Sequence, residues 1–291
     1  MCLICDNSSD TFSQLEEIEE LNISGCDKIT TIPPLPLKKL NCDNCFNLTE
    51  LPENELLEEL NCSGCYNLTK LPRYPLLRKL ICNGCKKLTE LPEYSLLKFL
   101  ECCYCINLVE LPEYPLLKKL FCSFCEKLVE LPEYPSLIFL DCSHCYNLIK
   151  LSQFRSLKLL DCSFCRKLTE LPKCPLLKIL ECSYCEAIVI LPYYESLIEL
   201  RCNYCKKIEK LPPYLLLKRL YCSFCLSLLK IPNFSLLIEL ECVSCLNLIE
   251  LPTNCLLLEY LCCKYCPRLT TMPYYPSLTE SDFSYCENLK I

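Results

Sequence analysis

The 291-residue chain has one histidine, three glycines, two methionines and no tryptophan. A single His removes most metal-site and acid–base chemistry, because both draw on imidazole more than on any other side chain. No run of eighteen apolar residues occurs, which excludes a helical membrane span. The first residues, MCLICDNSSDTF, lack a basic stretch followed by an apolar one, so no secretory leader is expected. The net charge of −6 carries no basic footprint for nucleic acid. What the chain does have is 32 Cys and 21 Pro, with 52% hydrophobic residues. Cysteine at about one residue in nine usually marks a small disulfide scaffold, but this chain is several times too long for that class. Its apolar content also excludes disorder. These features predict a soluble, cytoplasmic, Cys-rich protein with a large core.

An internal repeat dominates the sequence. LKKLNCDNCFNLTELPENEL from Leu37, LEELNCSGCYNLTKLPRYPL from Leu57 and LKKLFCSFCEKLVELPEYPS from Leu117 are copies of one unit. Fourteen units begin at 18, 37, 57, 77, 97, 117, 137, 157, 177, 197, 217, 237, 258 and 278. The pattern is L-x-x-L-x-C-x-x-C-x-x-L-x-x-L-P-x-Y-P-L. Residues 1–17 fall outside it and are expected to form an N-terminal cap, with the solenoid over 18–291. The last unit is degenerate, with Ser281 and Phe283 where Leu and Cys recur, as suits a terminal repeat. Within a unit, Leu120 and Cys122 point inward from a short strand while Lys119 and Phe121 face out. Cys125, Leu128 and Leu131 return to the core. The E-Y-P tail cannot be helical, because Pro removes a donor and holds its predecessor extended. The fold expected is a β-rich solenoid: one parallel strand per unit, extended or polyproline-like return arms, and little or no α-helix.

These residues resemble the leucine-rich repeat, in a variant with Cys at the turn position where Asn is usual. The L-x-x-L-P ending is similar to short repeats of bacterial effector proteins and plant immune receptors, and Cys-bearing repeats of this kind also resemble those of large DNA viruses of amoebae. The sixth position departs from the family, with Cys for Leu. The resemblance implies a solenoid whose strands line a concave face, and a location in a host cytoplasm if the chain is viral or an effector. It implies no enzymatic appendage.

Twelve units carry C-x-x-C, from Cys42/Cys45 to Cys263/Cys266. Such pairs have a metal or redox reading. Both positions coincide with inward core positions, however, and free Cys is among the most buried residue types, so a structural core role is favoured and no metal or cofactor is expected. The Cys2/Cys5 pair stands apart in the cap. For binding, the variable outward positions matter. Ile81, Phe99, Phe121, Phe139, Leu159 and Ile179 are expected to form an apolar patch on an otherwise charged concave face. The eighth position adds rings: Tyr104, Phe124, His144, Phe164, Tyr184, Tyr204, Phe224, Tyr265 and Tyr285. Such a column either stacks on itself or meets a partner. Patch and column, through residue 184, are the candidate partner-binding residues. Tyr74, Tyr94, Tyr114 and Tyr134 on the return arm are expected to pack between coils. No nucleophile–base pair or phosphate loop is present. The expected function is a non-catalytic scaffold for a protein partner. The alternatives are the substrate-recognition subunit of a ubiquitin ligase acting in trans, and a metal or redox Cys array.

Overall fold

A computed structural model describes residues 18–290. The expected cap over residues 1–17, with its Cys2/Cys5 pair, lies outside the described residues. The chain divides into two compact units, Met1–Cys145 and Tyr146–Ile291. Each contributes seven three-residue strands: Glu20–Asn22 to Phe139–Asp141 in the first and Leu159–Asp161 to Glu280–Asp282 in the second. No helix occurs among the described residues, as the Pro-bearing return arms require.

Strands are parallel and in register at one repeat. Phe99 pairs with Lys119, Leu100 with Leu120 and Glu101 with Phe121. In the second unit Ile179 pairs with Glu199 and Leu180 with Leu200. A slip of one residue would turn every central Leu to solvent, so the buried column fixes the register. Side chains alternate across each strand: Leu120 is wholly buried while Lys119 is exposed and Phe121 is half-buried. The register continues into the return arms of the second unit, where Lys210, Lys230 and Glu250 bridge in parallel.

Behind the strands each coil closes over its own side chains. Leu117, Leu120, Cys122, Cys125 and Leu128 have no solvent exposure, and their counterparts in neighbouring coils are equally buried. The return-arm tyrosines fill the far side of this core. Tyr94 and Tyr114 stack with ring centroids 6.4 Å apart, and Tyr114 and Tyr134 at 6.2 Å. A buried hydroxyl must find an acceptor. Tyr94 donates to the Pro72 carbonyl at 2.9 Å and Tyr114 to that of Pro92 at 3.1 Å, so the Pro that ends one arm receives the Tyr of the next.

The final coil departs as expected. Its strand, Glu280–Asp282, places exposed Ser281 where other strands bury Leu.

The Tyr114 hydroxyl and ring separate by substitution. Tyr114→Phe orphans one buried carbonyl and is expected to cost about 1 kcal/mol. Tyr114→Ala also opens a ring-sized void, at about 3–5 kcal/mol. Urea unfolding of the two variants beside wild type measures both, and equal costs would show that the hydrogen bond dominates.

Candidate functional site

The C-x-x-C segment forms the turn that ends each strand. Cys105 N–H donates to the Cys102 carbonyl, and Cys205 N–H to that of Cys202. The residue before the second Cys has a positive φ in every coil. Gly25, Gly64 and Gly84, the chain's three glycines, lie there with φ of 73°, 66° and 69°. Asn44 has φ 59°, and the rings from Tyr104 to Tyr285 lie between 56° and 64°. Gly and Asn are the residues such a turn position calls for. A bulky side chain there costs about 1–2 kcal/mol.

The rings offset that cost by stacking. Tyr104, Phe124 and His144 in the first unit lie with successive centroids 4.4 and 4.1 Å apart and planes within 8°. In the second unit Phe164, Tyr184, Tyr204 and Phe224 follow at 4.3, 4.2 and 4.3 Å. Tyr265 and Tyr285 stack at 4.5 Å. The column therefore packs on itself, leaving ring edges, and the faces of its end members, to solvent. Each stack contributes about 0.5–1.5 kcal/mol beyond area burial, a gain comparable with the strain.

Beside the column, strand ends are capped by side chains. Where the fifth position is Asn or Asp it accepts the amide two residues on, as Asp161 does from Ser163 at 2.9 Å. In two coils where it is not, the neighbouring coil substitutes: Asn83 Oδ1 accepts Cys103 N–H at 2.8 Å, and Asn203 Oδ1 accepts Ser223 N–H at 2.7 Å. This relieves Glu101 and Tyr221 of the capping role.

On the outward strand face of the first unit, three expected residues meet. Phe121 contacts Phe139 at 4.6 Å and Phe99 at 5.8 Å, both tilted. Lys79 Nζ lies 5.6 Å from the Phe99 ring centre, and Lys119 pairs in register with Phe99 and Phe139. Ile81 is set apart, between Asn61 and Glu101. All four apolar side chains are half-buried. In the second unit Leu159 and Ile179 are register partners, again half-buried. Next to Ile179 stands an arrangement that the sequence reading missed. Glu199 is buried and accepts from Arg201 Nε and Arg219 Nε, each at 2.8 Å. Burial pushes its carboxyl up, but the two guanidinium groups outweigh this and hold it below the usual range. Arg201 also lies over the Tyr221 ring at 4.2 Å.

The thiols are occupied in the core. The second Cys of a pair donates to the carbonyl at the first-Cys position of the preceding coil: Cys85 to Cys62 at 3.1 Å, Cys125 to Cys102 at 3.0 Å, Cys205 to Cys182 at 3.1 Å, and in the first pair Cys45 to Ile23 at 3.1 Å. Contact with the second-position sulfur of the following coil, and then burial, push Cys62, Cys102, Cys122 and Cys202 well above the ordinary thiol range. Among the described residues the cysteines are thiols rather than disulfides. Among the described residues no three His, Cys, Asp or Glu side chains group so as to hold a metal ion.

A period of 20 residues, one parallel strand per turn, and inward columns of Leu and Cys define the coil. This is the architecture that the leucine-rich repeat resemblance implies. A similar solved structure is the crystal structure of a leucine-rich repeat protein from Bacteroides ovatus, at 16% identity and a TM-score of 0.44 over 94% of this chain and 81% of that one. No protein-family model matches the chain, and no curated protein does. In this solenoid the thiol ladder takes the turn position that the resemblance assigns to Asn. No helix among the described residues is long and apolar enough to cross a membrane.

The turn strain is testable. Ser244, with φ 57° and no ring, gains relief on replacement by Gly, so Ser244→Gly is expected to be neutral or stabilising by up to about 1 kcal/mol. Tyr204→Gly gains the same relief but forfeits two stacks and is expected to cost about 1–2 kcal/mol relative to it. Chemical denaturation compares the two.

Thiol accessibility is the second test. Native maleimide labelling at pH 8, read by peptide mass, is expected to reach half-exposed Cys103 before Cys102 or Cys122. Burial raises the Cys103 thiol to about 11, so even it is slow, with about tenfold less thiolate per unit of rise. Fast labelling of Cys102 and Cys122 in the folded chain would contradict the closed core.

Proposed function

We propose that this leucine-rich repeat chain is a non-catalytic scaffold that binds a protein partner through the outward faces of its strands. The observation that carries the reading is the Phe99–Phe121–Phe139 cluster. These rings stand on the solvent side of the strands, where the core gains nothing from them. Neighbouring outward positions in the same unit hold Lys39, Glu59, Lys79, Glu101, Lys119 and Asp141. An apolar centre inside a charged rim is the composition of an interface core, where aromatic residues carry most of the binding energy. The rim would orient the partner and set its approach rate.

Leu159 and Ile179 in the second unit would provide a further apolar contact, rimmed by Asp161, Glu181 and the Glu199–Arg219 pair. The column rings from Tyr104 to Tyr184 would border these patches with their edges. Their stacking assigns them first to the solenoid. His144, the chain's sole histidine, is held in that stack against Phe124. That placement favours a structural role over a catalytic one.

The test is capture from a lysate of the source organism under reducing conditions. Wild type would be run beside a Phe121→Glu, Phe139→Glu double variant of unchanged circular dichroism. A protein retained by wild type, and bound at least about tenfold more weakly by the variant, is the expected outcome. Equal retention would remove the cluster as the site.

A further inference from the structure

The ring column of the second unit has one gap. Phe224 and Tyr265 carry rings on either side of Ser244, which has none. The backbone beneath is uninterrupted: Phe224 N–H donates to the Val243 carbonyl at 2.7 Å and Ser244 N–H to that of Lys264 at 2.8 Å. Ser244 keeps the φ of the other turn residues, at 57°. The gap is therefore one absent side chain in an intact ladder. Rings above and below it stack at 4.3 Å, for Tyr204 on Phe224, and 4.5 Å, for Tyr265 on Tyr285. One omission leaves two such steps between Phe224 and Tyr265. That is the interval one flat group fills while touching a ring on each side. Tyr265 is 47% exposed, close to the 51% of Tyr104 at the column's start.

We propose that this slot receives the guanidinium of an arginine on a protein partner. Flatness admits a neutral ring as well, and charge decides between them. Glu241 stands beside the slot, its Oε1 accepting the Ser223 hydroxyl at 3.1 Å in the turn that carries Phe224. Glu239, Glu280 and Asp282 share the outward strand face, whereas Lys264 is tied to Asp282 at 2.7 Å. The surroundings thus hold excess negative charge, which a neutral ring would leave unanswered. The same unit already makes this contact internally: Arg201 lies over Tyr221 at 4.2 Å while its Nε meets the Glu199 carboxylate at 2.8 Å. A guanidinium between Phe224 and Tyr265 would have two ring faces and Glu241 as its carboxylate. Lysine, with a compact ammonium, would fill neither face. The proposal is independent of the Phe121 cluster.

The test uses the full chain with ring-labelled Phe and Tyr, titrated by NMR with blocked Gly-Arg-Gly, Gly-Lys-Gly and Gly-Trp-Gly peptides. The expected result is saturable shifts of the Phe224 and Tyr265 rings with the Arg peptide. The Lys peptide should bind at least about tenfold more weakly. Ser244→Phe completes the column with a ring that most other coils carry there, and should abolish the shifts. Ser244→Gly keeps the slot open and should bind as wild type does. Absence of saturable shifts in wild type, tighter binding of the Trp peptide, equal binding of the Lys peptide, or unchanged binding by Ser244→Phe would each overturn the assignment.

Discussion

Among the described residues the buried columns of Leu, Cys and Tyr repeat once per coil, each coil's member beside that of the next, and that constraint governs the rest. A parallel ladder in register at one repeat brings Leu100 beside Leu120 and Tyr94 beside Tyr114. A side chain suits the core when it packs well against its equivalent in the next coil; most columns repeat one residue type, and Cys174 and Cys255 interrupt the Tyr/Phe column. Leu does so by interdigitation and Tyr by offset stacking. Cys does so because its sulfur is small and its weak donor reaches a carbonyl one coil away. Most carbonyls that receive the second-position thiols belong to first-position cysteines, as Cys62 and Cys102 do, so the two Cys columns are coupled. Neither could be replaced wholesale without the other.

The same rule extends to the turn, where it opposes local preference. A positive φ favours Gly or Asn, and the early coils comply with Gly25, Asn44, Gly64 and Gly84. From Tyr104 onward the position is almost always a ring, at a cost in backbone strain that stacking recovers. A ring there is favourable only when its neighbours are rings. This cooperativity accounts for the change of composition along the chain: the first four coils use Gly or Asn together, and aromatics then recur in runs. Ser244, which follows neither solution, is for that reason the least settled turn of the ladder.

The fold was legible because repetition multiplies weak signals. One L-x-x-L-x-C segment fits many structures, but fourteen at one spacing fit a parallel coil, and L-P-x-Y-P forbids a helical return. Inward and outward residues followed from strand alternation alone. The candidate site was legible only in part. Phe99, Phe121 and Phe139 do come together, because diagonal strand neighbours lie within reach of aromatic side chains. Ile81 stands apart from Phe121 in the fifth-position column, with Glu101 between them. The positive φ was signalled by Gly25, Gly64 and Gly84 in equivalent places, a pattern masked by the rings that replace them later. The Glu199 pair with Arg201 and Arg219 could not be read from the repeat at all. It depends on departures from the consensus at three outward positions rather than on the consensus.

The repeated side-chain hydrogen bonds of the second Cys, the return-arm Tyr and the turn Asn run in one direction. Cys85 gives its thiol proton back to the Cys62 carbonyl, Tyr94 gives its hydroxyl back to Pro72, and Asn107 its amide back to Lys86. In each case the donor belongs to the later coil and the acceptor to the earlier one. For these side chains, a chain emerging from the ribosome meets each acceptor already in place when its donor arrives. The turn amides run the other way: Cys122 N–H and Phe124 N–H donate forward to the Asp141 and Ser143 carbonyls and await the next coil. The two ends of the ladder are therefore unequal in kind. Loss of a first coil strands side-chain donors in the next, whereas loss of a last coil strands backbone amides in the one before.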